Sequence, residues 1–468
     1  MHRKFLVLFV FVFSLSVFVH PAYADVAPPE AVPGSNLLPG EEGTQVRMMA
    51  ETVTLTISED PQDTNGAVAE TRAVFTMRNL GAVEEKMDVR FPLSFFNGNS
   101  DGFGNFPEIG YIAVKVDGKA VSTHSEVQSF VNNDQSFQER DELPWAVFEV
   151  TFPPGQDVLI EVSYQVDGYG YYPYQAFKYV LETGAGWNGT IGSAEIILRL
   201  PYEANEHNVD FSGFSGFGET TQSAAFKGNE VQWKFQDLEP TYESNMQFVI
   251  VAPALWNKVL TENENVAKNP NDGEAWGRLA KNYKDIIRLK HGELRNDPAG
   301  MEMFELSRSA YEKCLALLPD DPLWQYGYAD LLWPHYYYDY YFYGKPDTEN
   351  LLPTVLMKLK TALELDPDLQ QAKELLDWIY NSVPGAVYKD EFGNYDFAGL
   401  TATPVPPTPW RVQATPTFTP AMTAPPPTFT TGVIPPATPE PTATNPLCGT
   451  AALLPALAGL VYVKRRRL

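Results

Sequence analysis

Cysteine is almost absent from this chain. Two occur in 468 residues, Cys314 and Cys448, so no disulfide framework holds it together, and it must rely on sizeable buried cores. Histidine is scarce too, with six in all. The four beyond the first twenty residues, His124, His207, His291 and His335, stand isolated in sequence. No His-Glu-x-x-His stretch occurs, which removes that zinc-hydrolase signature, and no Gly-Lys-Ser/Thr loop is there to cradle a phosphate. Gly213-Phe214-Ser215-Gly216-Phe217 lacks the glycine spacing of a nucleophile elbow and reads as a loop. Positive charge is in short supply: 34 Lys and Arg face 59 Asp and Glu, for a net charge of −25. Arg3 and Lys4 contribute +2 and Lys464 to Arg467 contribute +4, which leaves −31 for residues 25–447. Such a surface repels phosphate backbones, so nucleic acid is excluded as a partner.

What is present begins at the two ends. His2, Arg3 and Lys4 precede an apolar run from Phe5 to Val19, and Ala22-Tyr23-Ala24 follows. This is the pattern of a secretory signal peptide over residues 1–24, cleaved after Ala24. At the other end, Ala451 to Val463 is apolar and Lys464 to Arg467 is basic. About 13 residues at ~1.5 Å each give roughly 20 Å, short for a ~30 Å hydrocarbon core, yet enough to lodge if the bilayer thins. Residues 448–468 are therefore expected to form a short membrane helix with its basic end in the cytoplasm. Cys448-Gly449, the apolar stretch and the basic tail resemble the tripartite C-terminal sorting signals of bacterial exported proteins. The class with a cysteine is the closest to it, and that resemblance implies a processed tail and a lipid-bearing Cys448. Together the two ends imply an extracytoplasmic, cell-surface location.

Between the ends, the hydrophobic period changes twice. Residues 25–45 read as a leader. Over 46–253 apolar residues alternate with polar ones: Ile160, Val162, Tyr164 and Val166 against Glu161, Ser163 and Gln165. Period two means one buried and one wet face, and Asp117-Gly118 and Pro153-Pro154-Gly155 supply turns. The expectation is an all-β sandwich region, in one body or in two lobes split near 168–171. Thr71 to Asn79, Lys86 to Leu93 and the Pro-Pro-Gly-Gln turn resemble uncharacterised bacterial exported β-domains, a likeness that implies a fold and no activity. Over 254–390 the period is helical. Trp276, Leu279, Ala280 and Tyr283 resemble the signature of the tetratricopeptide repeat, with closing prolines at Pro270, Pro319 and Pro367. The intervals of 49 and 48 residues exceed the usual period of about 34, so each copy carries an insertion. With so few copies, the array is expected to lean on the β-region for burial. Residues 395–447 are rich in Pro and Thr, which rules out a packed core and reads as a disordered stalk. The fold class expected is multidomain: all-β sandwich, all-α tetratricopeptide-like repeats, stalk and membrane helix.

Candidate sites are few. Asn97, Asn99, Asp101 and Glu108 stand at positions 1, 3, 5 and 12 of a calcium-loop pattern with Gly102 at position 6, and Asn105 adds an oxygen within it. Calcium is thus the one cofactor the sequence offers, although Pro107 and strand-like flanks favour an ordinary connecting loop. A tyrosine-rich insertion with Tyr336, Tyr337, Tyr340, Tyr341 and Tyr343 offers either packing or a contact patch for a partner. Asn188-Gly189-Thr190 fits a glycosylation sequon. No catalytic set emerges, although carboxylates abound and a glycosidase pair could be scattered among them. The function expected is cell-surface binding or scaffolding, with a protein or glycan as partner. The alternatives are a membrane-tethered hydrolase of polysaccharide or peptide and a purely structural envelope protein.

Overall fold

The computed structural model describes residues 38–39, 44–93, 109–128 and 143–397, apart from 182, 183, 185 and 291. The signal peptide with Ala24, the calcium-loop residues Asn97, Asn99, Asp101, Asn105 and Glu108, and the tail with Cys448 lie outside the described residues.

Long alternating strands come first. β1 is Leu38–Pro39, β2 is Val46–Glu59, β3 is Ala67–Asn79, β4 is Glu85–Pro92, β5 is Ile112–Val116, β6 is Lys119–Val121, β7 is His124–Gln128 and β8 is Leu143–Phe152. β9 is Asp157–Asp167, β10 is Tyr174–Tyr179, β11 is Ile191–Arg199, β12 is Ala225–Lys227, β13 is Glu230–Leu238 and β14 is Met246–Val251. Eight of them form one sheet in the order β12-β13-β11-β2-β3-β9-β5-β6. Its neighbours pair antiparallel except β11 and β2, which run parallel. Strands from both sides of 168–171 join this sheet, so the β-region folds as one body. A bulge between Met48 and Ala50 brings the Met49 carbonyl against Gly192, where an added Cβ would lie 2.4 Å away. Only glycine admits so close an approach of two backbones.

One face of the sheet is apolar. Val53, Leu55, Ile57, Phe75, Val162, Ile196, Leu198 and Trp233 are buried there. Two smaller sheets cover it, β1-β4-β8-β7 and β10-β14, with Phe91 against Tyr164 at 5.4 Å and Trp233 against Phe248 at 5.2 Å. A buried polar contact crosses this core, where the Tyr179 hydroxyl donates to Glu51 at 2.7 Å.

Six α-helices follow: α1 Pro253–Lys268, α2 Gly273–Ile287, α3 Pro298–Leu317, α4 Pro322–His335, α5 Leu351–Leu365 and α6 Gln370–Ser382. Their starts are written locally. Asp272, Asp297 and Asp321 cap α2, α3 and α4, each accepting from a backbone N–H, and proline opens α1, α3 and α4. α1 packs on the sheets through Leu255 and Trp256, the latter 6.2 Å from Tyr202.

The expected division into an all-β domain and an all-α repeat domain is corrected here. The described residues form one compact unit, a mixed α/β fold whose core runs without a break from strands to helices. The helices are not tetratricopeptide-like. Trp276 donates its indole N–H to the Pro270 carbonyl at 2.9 Å and stays partly buried. Gly277 is filled from outside by the Trp324 ring, 2.5 Å from a would-be Cβ, and α4 continues as a π-helix, Tyr336–Phe342. No regular two-helix unit can repeat through such an element. The expected transmembrane helix is corrected as well: among the described residues no helix is long and apolar enough to cross a membrane. The segment nominated for it, 448–468, lies outside them, as does the stalk beyond 397.

Candidate functional site

The other face of the large sheet is uncovered, and strand register decides what it displays. Because residues i and i+2 point the same way, the pairings set three parallel rows across the strands. The first reads Glu230, Arg199, Thr56, Glu70, Gln165. The second reads Gln232, Ile197, Thr54, Arg72, Ser163, Ala113. The third reads Lys234, Glu195, Thr52, Val74, Glu161, Lys115. Successive residues of a row stand about 4.8 Å apart. A groove of about 550 Å³ follows the first two rows, lined by Thr54, Thr56, Glu70, Arg72, Gln165 and Tyr111 among others. Tyr111, at the end of the groove just before β5, is 77% exposed.

The charges on this face are matched. Arg72 bonds Glu161, and Lys115 reaches the other Glu161 oxygen at 2.9 Å. Arg199 meets Glu230 at 2.8 Å and Lys234 meets Glu195 at 3.0 Å. Hydrogen bonds from Lys115 and Arg72 hold Glu161 below the usual carboxylate range, and Arg199 does the same to Glu230. A general acid needs the opposite shift. Beneath the groove, burial drives the Tyr164 phenol far up, so it stays a neutral hydroxyl.

The tyrosine cluster is placed differently. Tyr336 is buried with its ring 5.8 Å from Trp333. Tyr337 lies 5.5 Å from Trp333 and stacks on Tyr341 at 5.8 Å. The Tyr340 hydroxyl donates to Glu349 at 2.7 Å. Tyr343 is 43% exposed and carries the Arg295 guanidinium 3.4 Å from its ring centroid. Four of the five thus pack the end of α4, and Tyr343 faces outward. The histidines do not converge. His124 pairs with Glu126, His207 with Glu302 and His335 with Asp339, while His291 lies outside the described residues. Among the described residues no cluster of His, Cys, Asp or Glu could hold a metal ion.

A second polar centre joins sheet and helices. Lys290 lies between Asp210, at 2.8 Å, and Asp297, at 2.7 Å, and all three are buried. Burial opposes the charges, but Tyr174, Asp210 and Asp297 hold Lys290 well above its ordinary value, and Lys290 with the Ser212 and Ser215 hydroxyls holds Asp210 below its own. Sequence reading missed this triad, since Asp210 comes from a loop after β11 and nothing in its spacing predicts a lysine partner 80 residues on.

No family model matches the chain, and no curated protein matches it. Among solved structures, one similar chain is a Legionella pneumophila protein described as a candidate nutrient binding protein. It is 16% identical over 62% of this chain and 97% of its own, with a TM-score of 0.37. An M1 zinc metallopeptidase from Deinococcus radiodurans is 11% identical over 69% of this chain and 94% of its own, at 0.22. A polysaccharide lyase is 9% identical over 68% of this chain and 60% of its own, at 0.16. Scores this low carry no functional argument, and those descriptions belong to those proteins.

Proposed function

We propose that this chain is an extracytoplasmic binding protein that recognises a neutral, polyhydroxylated ligand, an oligosaccharide, on the open face of its large sheet. The signal-peptide pattern supports the location. The composition of the face supports the ligand class, and that composition carries the reading. The three rows hold Arg72, Lys115, Arg199 and Lys234 against Glu70, Glu161, Glu195 and Glu230. The face is therefore neutral on a chain of charge −25. A polyanion or polycation would gain nothing from it. Hydroxyls of Thr52, Thr54, Thr56 and Ser163 both donate and accept, as sugar hydroxyls require, and exposed Tyr111 offers a ring to stack on a pyranose. A single carboxylate, Glu70, stands among the groove's lining residues, which favours binding over hydrolysis by a carboxylate pair.

The first test removes the platform. Tyr111→Ala should weaken binding of a neutral oligosaccharide about tenfold, roughly 1.4 kcal/mol, the size of one aromatic contact. The melting temperature should stay put, since Tyr111 is exposed. Wild-type affinity by titration calorimetry should also vary little between low and high salt, as a neutral ligand is not screened. Unchanged affinity in the variant, or affinity that collapses with salt, would remove this reading.

A further inference from the structure

A cleft of about 380 Å³ opens where the loop 206–226 meets the start of α3, away from the sheet face. Glu206 stands at its mouth, Asp210 and Asp297 at its floor, and Phe211 and Phe226 along one wall, their rings edge to face at 5.9 Å. Lys290 sits behind the floor and compensates only one of the two buried carboxylates. No lysine or arginine lines the cleft among the described residues, so its lining keeps a negative excess.

The start of a helix ordinarily attracts anions, but this one has few donors left to offer them. Pro298 has no N–H to offer. The Gly300 N–H is taken by the Asp297 carboxylate at 3.0 Å, and the Met301 N–H by the Asp297 carbonyl at 2.9 Å. The floor, by contrast, has acceptor capacity to spare. Asp210 is 3% exposed. Its Oδ1 is used by Lys290, by the Ser212 hydroxyl at 2.6 Å and by the Ser212 N–H at 3.1 Å; the Ser215 hydroxyl also favours its charged form, and its buried Oδ2 makes no hydrogen bond of normal geometry among the described residues. Two buried carboxylates at the floor, a third at the mouth and an aromatic wall form the environment of an ammonium group.

We propose that this cleft binds a small organic cation, a primary or substituted ammonium compound, with Glu206 and Asp210 opposing its charge and Phe211 and Phe226 flanking its carbon skeleton. The reading is independent of the sheet-face ligand and uses none of its residues. It is tested on the full chain by calorimetry with benzylamine, with benzyl alcohol as the neutral isostere, and with calcium chloride and inorganic phosphate as competing chemistries. Benzylamine should bind and benzyl alcohol should not. Glu206→Gln and Phe226→Ala, both at exposed positions that leave the fold intact, should each weaken the amine about fivefold, the size expected of one partly solvated charge or cation–π contact. Tyr111→Ala should leave it unchanged. Equal binding of the alcohol, binding of calcium or phosphate at the same residues, or an amine affinity indifferent to Glu206→Gln and Phe226→Ala would overturn the assignment.

Discussion

Replacing Lys290 with methionine will destabilise the protein by about 3–5 kcal/mol, the cost of breaking a buried ion pair by removing one partner. The side chain is nearly isosteric, so little packing is lost. What remains is two carboxylates, Asp210 and Asp297, buried between the β-region and α3 with no cation between them. The pH dependence should change sign as well. In the wild type, Asp210 is held below its ordinary value, so its contribution is complete above the unfolded carboxylate pKa of about 3.9 and fades only in more acid solution. Lys290 is held above its ordinary value, so its contribution is complete below about 10.4 and is lost as pH rises through the higher folded value. Between those limits the triad adds a constant amount. Without Lys290, burial pushes both carboxylates up, and a raised acid is a burden that protonation relieves. The variant should therefore gain stability on mild acidification, where the wild type does not. Chemical denaturation of both proteins at pH 5 and pH 8 measures this directly, and adding Asp210→Asn and Asp297→Asn to the variant should restore part of the loss.

Trp333→Ala will cost about as much, roughly 3–5 kcal/mol, by opening a cavity. Trp333 is wholly buried and gathers Tyr336, Tyr337 and Trp378 around it within 6 Å. Deleting it empties the junction of α4, the π-helix and α6. Tyr343→Ala, a few residues on, should cost about 1 kcal/mol or less, since its ring is partly exposed and meets the Arg295 guanidinium and the exposed Phe342 ring. Urea midpoints of the two variants separate packing from surface in a stretch where the sequence shows only a run of aromatics.

That stretch illustrates what the sequence could carry. Periodicity located the strands of 46–253 and the helices of 254–382, because period two and period 3.6 are local properties. It placed Glu161, Ser163 and Gln165 on the wet side of β9, three of the positions that build the candidate site. It could not say which strands flank them. Pairing of β9 with β3 joins residues 79 to 99 apart in the chain and pairing of β2 with β11 joins residues 143 apart, and no local pattern encodes a partner. The same limit hid Asp210 from Lys290. The misreading of the helices came from another source. Trp276, Leu279, Ala280 and Tyr283 satisfy a repeat signature by spacing alone, but Pro334 and the tyrosines after it wind a π-turn that no regular repeat contains. Local signals also made the division into separate β and α domains look natural, since the change of period near 253 is abrupt. The unbroken core across that point depends on Trp256 and Leu255 reaching back to the sheets, which is a tertiary fact.

Hydrogen–deuterium exchange of the full chain, with and without a saturating neutral oligosaccharide, tests the binding surface most directly. Slower exchange confined to β2, β3, β9 and the backbone around Tyr111 is the predicted result. Protection confined to α1–α6, with those strands unaffected, would contradict it.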